Sequence, residues 1–356
     1  MSRTATPLIQ WFRDIGIHDV AGVGGKGASL GELTRAGIRV PVGFVVTTAA
    51  FHQFLMGIGE QDNIRAAIES LASENLSAIQ NTGAAIRGRI ERSALPGVIS
   101  RAIADAYRRL SDGADNAPVA IRSSATSEDS AEASFAGLQD TYLWVRGEAD
   151  VMERVRSCWI SLYSDESISY RRRLKLPELG LGMGVVVQRM VDSLCSGVMF
   201  TRSPTTGDKS VVTLEGSWGL GSCIVSGEVT PDKFVINKVT GEIMDRSVAV
   251  KLIQHVPALK GGVITEPVPA EKQRIPCLFD EQIAELVEIA KRVERHYGCP
   301  QDIEWAIAKD TPPAAGPYLL QSRPETVWSA KAAHPIAGPK PRSYDHVFSV
   351  LSRRGK

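Results

Sequence analysis

The sequence of 356 residues has no run of 18 apolar residues, so no membrane-spanning helix is predicted. Its first residues, MSRTATPLIQWFRDIG, lack the apolar stretch and small-residue cleavage site of a secretory leader. Cysteine is sparse: Cys158, Cys195, Cys223, Cys277 and Cys299 stand far apart with no C-x-x-C pair. That argues against a zinc knuckle or dithiol redox site and fits a reducing compartment, so the expected setting is the cytoplasm. Charge of one sign is also missing. Lys plus Arg number 41 and Asp plus Glu 40, a net of +1, so general affinity for nucleic acid is not expected. The six histidines show no metal or triad spacing, and Ser123, Ser124 and Ser127 sit in no G-x-S-x-G elbow. What is present, 43% hydrophobic and 23% charged residues, is the make-up of a folded globular chain, long enough for two or three domains.

Along the chain, a glycine-rich turn at 22–31 (GVGGKGASLG) leads into a predicted helix that stops near Gly37. A strand is predicted at 43–47, with Thr47 or Thr48 capping the helix that follows. Residues 62–111 read as helical, with Pro96 opening a new helix, and 148–174 as one long helical stretch. Strands are predicted at 118–123, 140–145, 183–191, 196–201, 210–216 and 232–237, and a helix at 279–297. Two late strands, QDIEWAIA (301–308) and PYLLQSR (317–323), are joined by a Pro/Ala/Gly loop. From 326 to 356 there are six basic residues against one acid, with three prolines, as in an extended tail or docking segment.

Gly22-x-Gly24-x-x-Gly27 matches a dinucleotide fingerprint only as a bare pattern. The residues before it make a poor strand, and no acid follows about 20 positions on. A Walker loop is excluded because Lys26 is followed by Gly27. What remains is a turn whose backbone N–H groups and Lys26 ammonium suit a phosphate, or a structural turn with a solvated lysine. Arg122 ends an apolar strand at a Ser/Thr-rich loop and offers paired donors for phosphate, unless Glu128 or Asp129 pairs with it. Alternation puts Asp302 and Glu304 on one face of their strand and Leu319, Gln321 and Arg323 on one face of theirs. Paired as neighbours, the two strands would gather a carboxylate, an amide oxygen and a guanidinium. Such oxygens suit Mg²⁺, although a sheet with one wet face alternates in the same way. Gln188, inside the apolar strand VVVQRMV, must find partners in backbone or in a ligand.

Taken together, GGKGASLGEL with GIRVPVGFVVT, AIRSSATSED with ASFAGLQDTYL, VQRMVDSLCSGVMFT, GSWGLGSCIVSGEVTPDKFVI, and QDIEWAIA with LLQSRPET resemble the nucleotide-binding part of the phosphoenolpyruvate synthase and pyruvate phosphate dikinase family. Rifampin phosphotransferase is similar. The resemblance runs from about residue 12 to 328. It implies an α+β ATP-grasp fold with ATP between two lobes, here 1–200 (with a helical insertion) and 201–328, followed by the tail 329–356. It implies that Lys26, Arg122 and Arg323 contact phosphate, that Gly137 and Thr141 belong to an ATP-covering loop, and that Gln188 contacts the nucleotide. Glu304 and Gln321 match the Mg²⁺ pair. Leu138 and Ser222 depart from the pattern, where Gln and Glu are usual. Members pass the β,γ-diphosphoryl group of ATP to a carrier histidine in a T-x-H segment and release AMP. No such segment occurs here, and His334 is a poor match. A carrier-histidine subunit is therefore expected as partner, with the small-molecule acceptor bound there. Phenylphosphate synthase is divided in this way, and the resemblance to its ATP-binding subunit makes phenol the favoured acceptor. Pyruvate and a drug are the alternatives, as is an ATP-sensing module without transfer.

Overall fold

The computed structural model describes residues 6–72, 75–113, 116–126, 140–178, 180–309 and 316–329, with the backbone alone of 129–130 and 133–134. One unit covers Met1–Glu325 and a second Thr326–Lys356. The tail from 330 onward lies outside the described residues.

Among the described residues, a five-stranded and a six-stranded sheet dominate the larger unit. The first sheet combines β1 (Ile9–Trp11), β2 (Gly43–Val46), β3 (Val119–Ala125), β6 (Thr141–Val145) and β7 (Met183–Arg189) in the order β1-β2-β7-β3-β6, every neighbouring pair antiparallel. A two-residue ladder, β4 (Asp129–Ser130) with β5 (Ala133–Ser134), lies between β3 and β6 in sequence. The second sheet combines β8 (Ser193–Phe200), β9 (Val211–Trp218), β10 (Asp232–Asn237), β11 (Ile243–Ser247), β14 (Gln301–Ala308) and β15 (Tyr318–Pro324) in the order β11-β10-β9-β8-β14-β15. The hairpin β12 (Ile253–Pro257) with β13 (Val263–Pro267) stands outside both sheets, and a short helix α8 (Ser222–Val225) follows β9. Sheet membership thus changes between Arg189 and Ser193, and β8 belongs with the second sheet.

Period-two alternation sorts the first sheet's side chains. Phe44, Val46, Val119, Ile121, Val185 and Val187 enter a core with helices α2 (Thr48–Gly57), α3 (Gln61–Glu69), α4 (Leu76–Arg92), α5 (Gly97–Ser111), α6 (Glu148–Ser161) and α7 (Asp165–Arg173). Their neighbours in sequence, Ala120, Arg122 and Gln188, line a cavity on the other face. In the second sheet, Leu214, Phe234, Ile303, Trp305 and Leu319 pack with Ile283, Leu286, Val287, Ala290 and Val293 of α9 (Asp280–Tyr297). Those five helical positions form one stripe, and burying each stabilises by roughly 1.5–3 kcal/mol for the larger side chains. Gln282 Oε1 accepts from Phe279 N (2.9 Å) at the start of α9, and Gly298, at φ 67°, ends it.

Helix α1 (Val20–Arg35) bridges the two sheets: Ala28 and Leu30 pack with Val45 and Val186 in a smaller cluster on the other face of the first sheet, while Leu33 enters the core of the second. Ser29 Oγ donates to the Ser322 carbonyl on β15 (2.6 Å).

Several expectations are corrected. Thr47 does precede α2, but its hydroxyl donates to Pro7 O (2.7 Å) and that of Thr48 to Ala21 O (2.9 Å), so neither side chain caps the helix. The stretch 148–174 is two helices, because Ser164 accepts from Ser167 N (3.1 Å) and starts α7 afresh. The helical region 62–111 divides into three, with Asn75 capping α4. The short strands β1, β11, β12 and β13 escaped notice, their sequences having no sustained alternation of apolar residues.

Candidate functional site

The glycine-rich turn is built against β3. Gly24 (φ 73°, ψ 172°) leaves the helical path inside α1, so that Lys26 stands in the first turn of the longer helical segment. A Cβ at Gly24 would collide with the Ser124 carbonyl, which is why glycine is required there. Ser124 clasps the turn, donating to Val23 O (2.9 Å) and accepting from Gly27 N (3.1 Å). Ser124 and Arg122 share a face of β3, so the strand that carries the arginine also seats the lysine turn.

Arg122 reaches across to the second sheet. Its Nη1 lies 3.2 Å from Glu304 Oε2 and donates to Gln321 Oε1 at 3.2 Å. Glu304 and Gln321 are direct partners across β14 and β15, as are Asp302 and Arg323, so alternation places all four on one face. Beyond Glu304 the register shifts, and Trp305 pairs with Leu319. Arg323 Nε is 3.4 Å from Asp302 Oδ2 and the arginine remains 49% exposed. Burial pushes the Asp302 carboxyl up in pKa, against the pull of Arg323.

These side chains line one cavity of about 450 Å³, with Lys26, Arg122, Thr141, Gln188, Glu304, Gln321 and Arg323 all on its wall. Gly137 lies outside the described residues. Among the buried polar groups on its wall that lack hydrogen-bond partners within the described residues are Arg122 Nε and Nε2 of Gln188, a residue 2% exposed. Leaving such groups unmade is costly, so each is suited to a ligand. Arg189, at the end of β7, the linker residues Met190 and Val191, and the segment Leu220–Gly221–Ser222 also line the cavity.

No cluster of three or more His, Cys, Asp or Glu able to hold a metal occurs among the described residues. The pair Glu304 and Gln321 offers two oxygens converging on one cation, the Arg122 guanidinium. That donor set fits Mg²⁺, which keeps water and phosphate oxygens in its shell. One contact had no signal in spacing: Ser222 Oγ lies 2.7 Å from His255 Nδ1, 33 residues away.

The model of the pyruvate phosphate dikinase AMP/ATP-binding domain family matches residues 20–343. The chain belongs to this family. A probable phosphoenolpyruvate synthase of Methanothermobacter thermautotrophicus is 43% identical over 320 residues, covering 89% of this chain and 46% of that protein. The phosphoenolpyruvate synthase of Aeropyrum pernix is 40% identical over 359 residues, covering 93% and 44%. A rifampicin phosphotransferase of Streptomyces is 38% identical over 345 residues, covering 96% and 38%. The chain thus spans less than half the length of these relatives. An AMP/ATP-binding domain makes ATP the ligand class, and no helix among the described residues is long and apolar enough to cross a membrane.

Proposed function

We propose that this chain is the nucleotide-binding station of a dikinase-type phosphotransferase with an ATP-grasp arrangement. It binds Mg·ATP and presents the β,γ-diphosphoryl group to a carrier histidine outside these residues, on a separate polypeptide in our reading. The observation that supports it most directly is the convergence of Arg122 on Glu304 and Gln321 within one cavity that also holds the unpartnered amide of Gln188.

Glu304 and Gln321 would hold Mg²⁺, whose charge neutralises phosphate oxygens. Lys26, Arg122 and Arg323 offset charge that develops on the transferred group. Gln188, near the end of β7, takes the base, and Thr141 borders the nucleotide; Gly137, assigned to the covering loop by resemblance, lies outside the described residues. The imidazole nitrogen of the carrier attacks the β-phosphorus; the nitrogen–phosphorus bond forms as the bridging oxygen departs on AMP. A neutral imidazole is already nucleophilic, so no general base from this chain is needed. Phosphoryl transfer then depends chiefly on position and charge, which these residues supply.

Transfer to phenol is the favoured outcome, and pyruvate or a drug are the competing acceptors. The test is β-³²P-labelled ATP with the chain and a carrier polypeptide. Expected are AMP and label on the carrier, with little turnover by the chain alone. ADP as the product, or rapid AMP formation without a carrier, would overturn the reading. Removing 330–356 is expected to weaken association with the carrier and leave ATP affinity intact, as read by titration.

A further inference from the structure

A second cavity of about 660 Å³ adjoins the first, and Thr141, Leu143 and Ser222 line both. Ser222 opens the four-residue helix α8 (Ser222–Val225), and the turn before it is anchored to β8 and β12. Gly219 N donates to Leu194 O (2.9 Å), Leu220 N donates to His255 O (2.9 Å), and Ser196 Oγ donates to Gly219 O (2.6 Å). Gly219 has φ 72°, and a Cβ there would collide with the His255 carbonyl, so β12 sits directly on the turn. On this seat the Ser222 hydroxyl meets His255 Nδ1 at 2.7 Å, while Glu228 Oε2 lies 3.5 Å from Nε2. With its proton on Nε2, toward Glu228, the imidazole accepts from Ser222 at Nδ1. The serine oxygen is then left as an acceptor facing the cavity.

Position along the cavity decides what that oxygen meets. Leu194 and Ser196 hold the turn before Ser222, and they lie four and two residues from Val198, opposite Glu304, roughly 7–13 Å along β8 at the usual strand rise. Along β8, Ser193 follows the linker 190–192, Leu194 and Ser196 meet the turn, and Val198 faces Glu304, in that order. Whatever joins a base near Gln188 to phosphates near Glu304 passes the turn at Ser222. Two other serines on the wall donate in the same way, Ser193 Oγ to Val191 O (3.2 Å) and Ser226 Oγ to Glu228 Oε1 (2.6 Å), so it is position that singles out Ser222.

We infer that Ser222, set by His255, accepts a hydroxyl of the nucleotide's sugar and makes the site discriminate ribonucleotides from deoxynucleotides. This rests on the nucleotide reading above and assigns that site its sugar-recognising residue. Ser222 touches the ligand; His255 is a positioning residue.

The experiment is calorimetric titration of the full chain with Mg·ATP, 2′-deoxy-ATP and 3′-deoxy-ATP. The wild type is expected to bind ATP roughly 3–10-fold more tightly than at least one deoxy analogue, the worth of one hydrogen bond. Ser222→Ala should weaken ATP by that factor, leave the analogue unchanged, and so bring the ratio near one. His255→Asn, whose amide can replace Nδ1, should keep the discrimination, and His255→Leu should lose it. A purely structural histidine would alter all three affinities together and overturn the positioning role. A full ratio in Ser222→Ala, or a wild type that binds ATP without discriminating, would overturn the inference while leaving the ATP site standing. No ATP binding by the wild type would bring down the site itself.

Discussion

Two charged clusters in this protein use the same chemistry to opposite ends. Lys251 and Asp232 form an ion pair (2.6 Å) with both side chains wholly buried. Asp232 also accepts from Ala249 N (2.9 Å) and Cys277 N (2.8 Å), and Lys251 donates to Ala249 O (3.0 Å). Arg122 with Glu304 and Gln321 is looser, at 3.2 Å, and faces a cavity with Arg122 Nε unpartnered among the described residues. The first cluster is saturated and holds a loop in place. The second has donors and acceptors to spare, as a group awaiting a ligand should. Complete burial with a partner for every polar atom separates the structural cluster from the candidate site.

The largest effect should come from breaking the saturated cluster. Lys251→Met leaves the Asp232 carboxylate buried without its cation and is expected to cost about 3–5 kcal/mol in urea unfolding. Nucleotide affinity per folded molecule should be unchanged. Arg122→Ala should invert that pattern: AMP formation with the carrier falls by on the order of 10²–10³, while stability changes by less than about 1 kcal/mol. If both variants lose stability equally, the contrast fails.

Gly24→Ala sharpens the comparison at backbone level. It forces a side chain into Ser124 at a left-handed position, so a loss of about 1–3 kcal/mol and weaker Mg·ATP binding are expected together. Gln188→Met removes a buried amide whose Nε2 is unpartnered among the described residues. Stability should hold or rise by about 1 kcal/mol while ATP affinity drops several-fold, as read by thermal melts with and without nucleotide.

The smallest effect concerns Glu32, whose carboxylate meets His296 at 2.7 Å and links α1 to α9. Burial raises its pKa, but hydrogen bonds from His296 and Ile17 N outweigh that and leave it lowered. A lowered folded-state pKa stabilises above the unfolded value, and that contribution is lost as pH falls through the folded value. Glu32→Gln should remove this acid-side component, worth under about 1 kcal/mol, from a stability–pH profile.

The paired late strands were legible in the sequence because alternation is local: Glu304 and Gln321 fall opposite one another as their spacing predicts. Lys26 and Arg122 were legible as a turn lysine and a strand arginine, and the structure puts both on one cavity wall; the glycine at 24 was legible as a turn. The partner of Arg122 was not. Glu128 and Asp129 are its neighbours in sequence, yet it contacts Glu304 and Gln321, the latter 199 residues away. Nor could spacing reveal Ser222 with His255 or Asp232 with Lys251, since each pair joins segments that do not share one element.

The sequence by itself determined which residues alternate, which stretches are helical or extended, and which groups face away from the two cores, because these follow from backbone period and side-chain type within a few residues. Only the tertiary structure decided which polar groups meet, which are saturated and which are left with unmade bonds. Those outcomes depend on how α1 and the two sheets pack, and packing is settled by contacts between residues far apart along the chain.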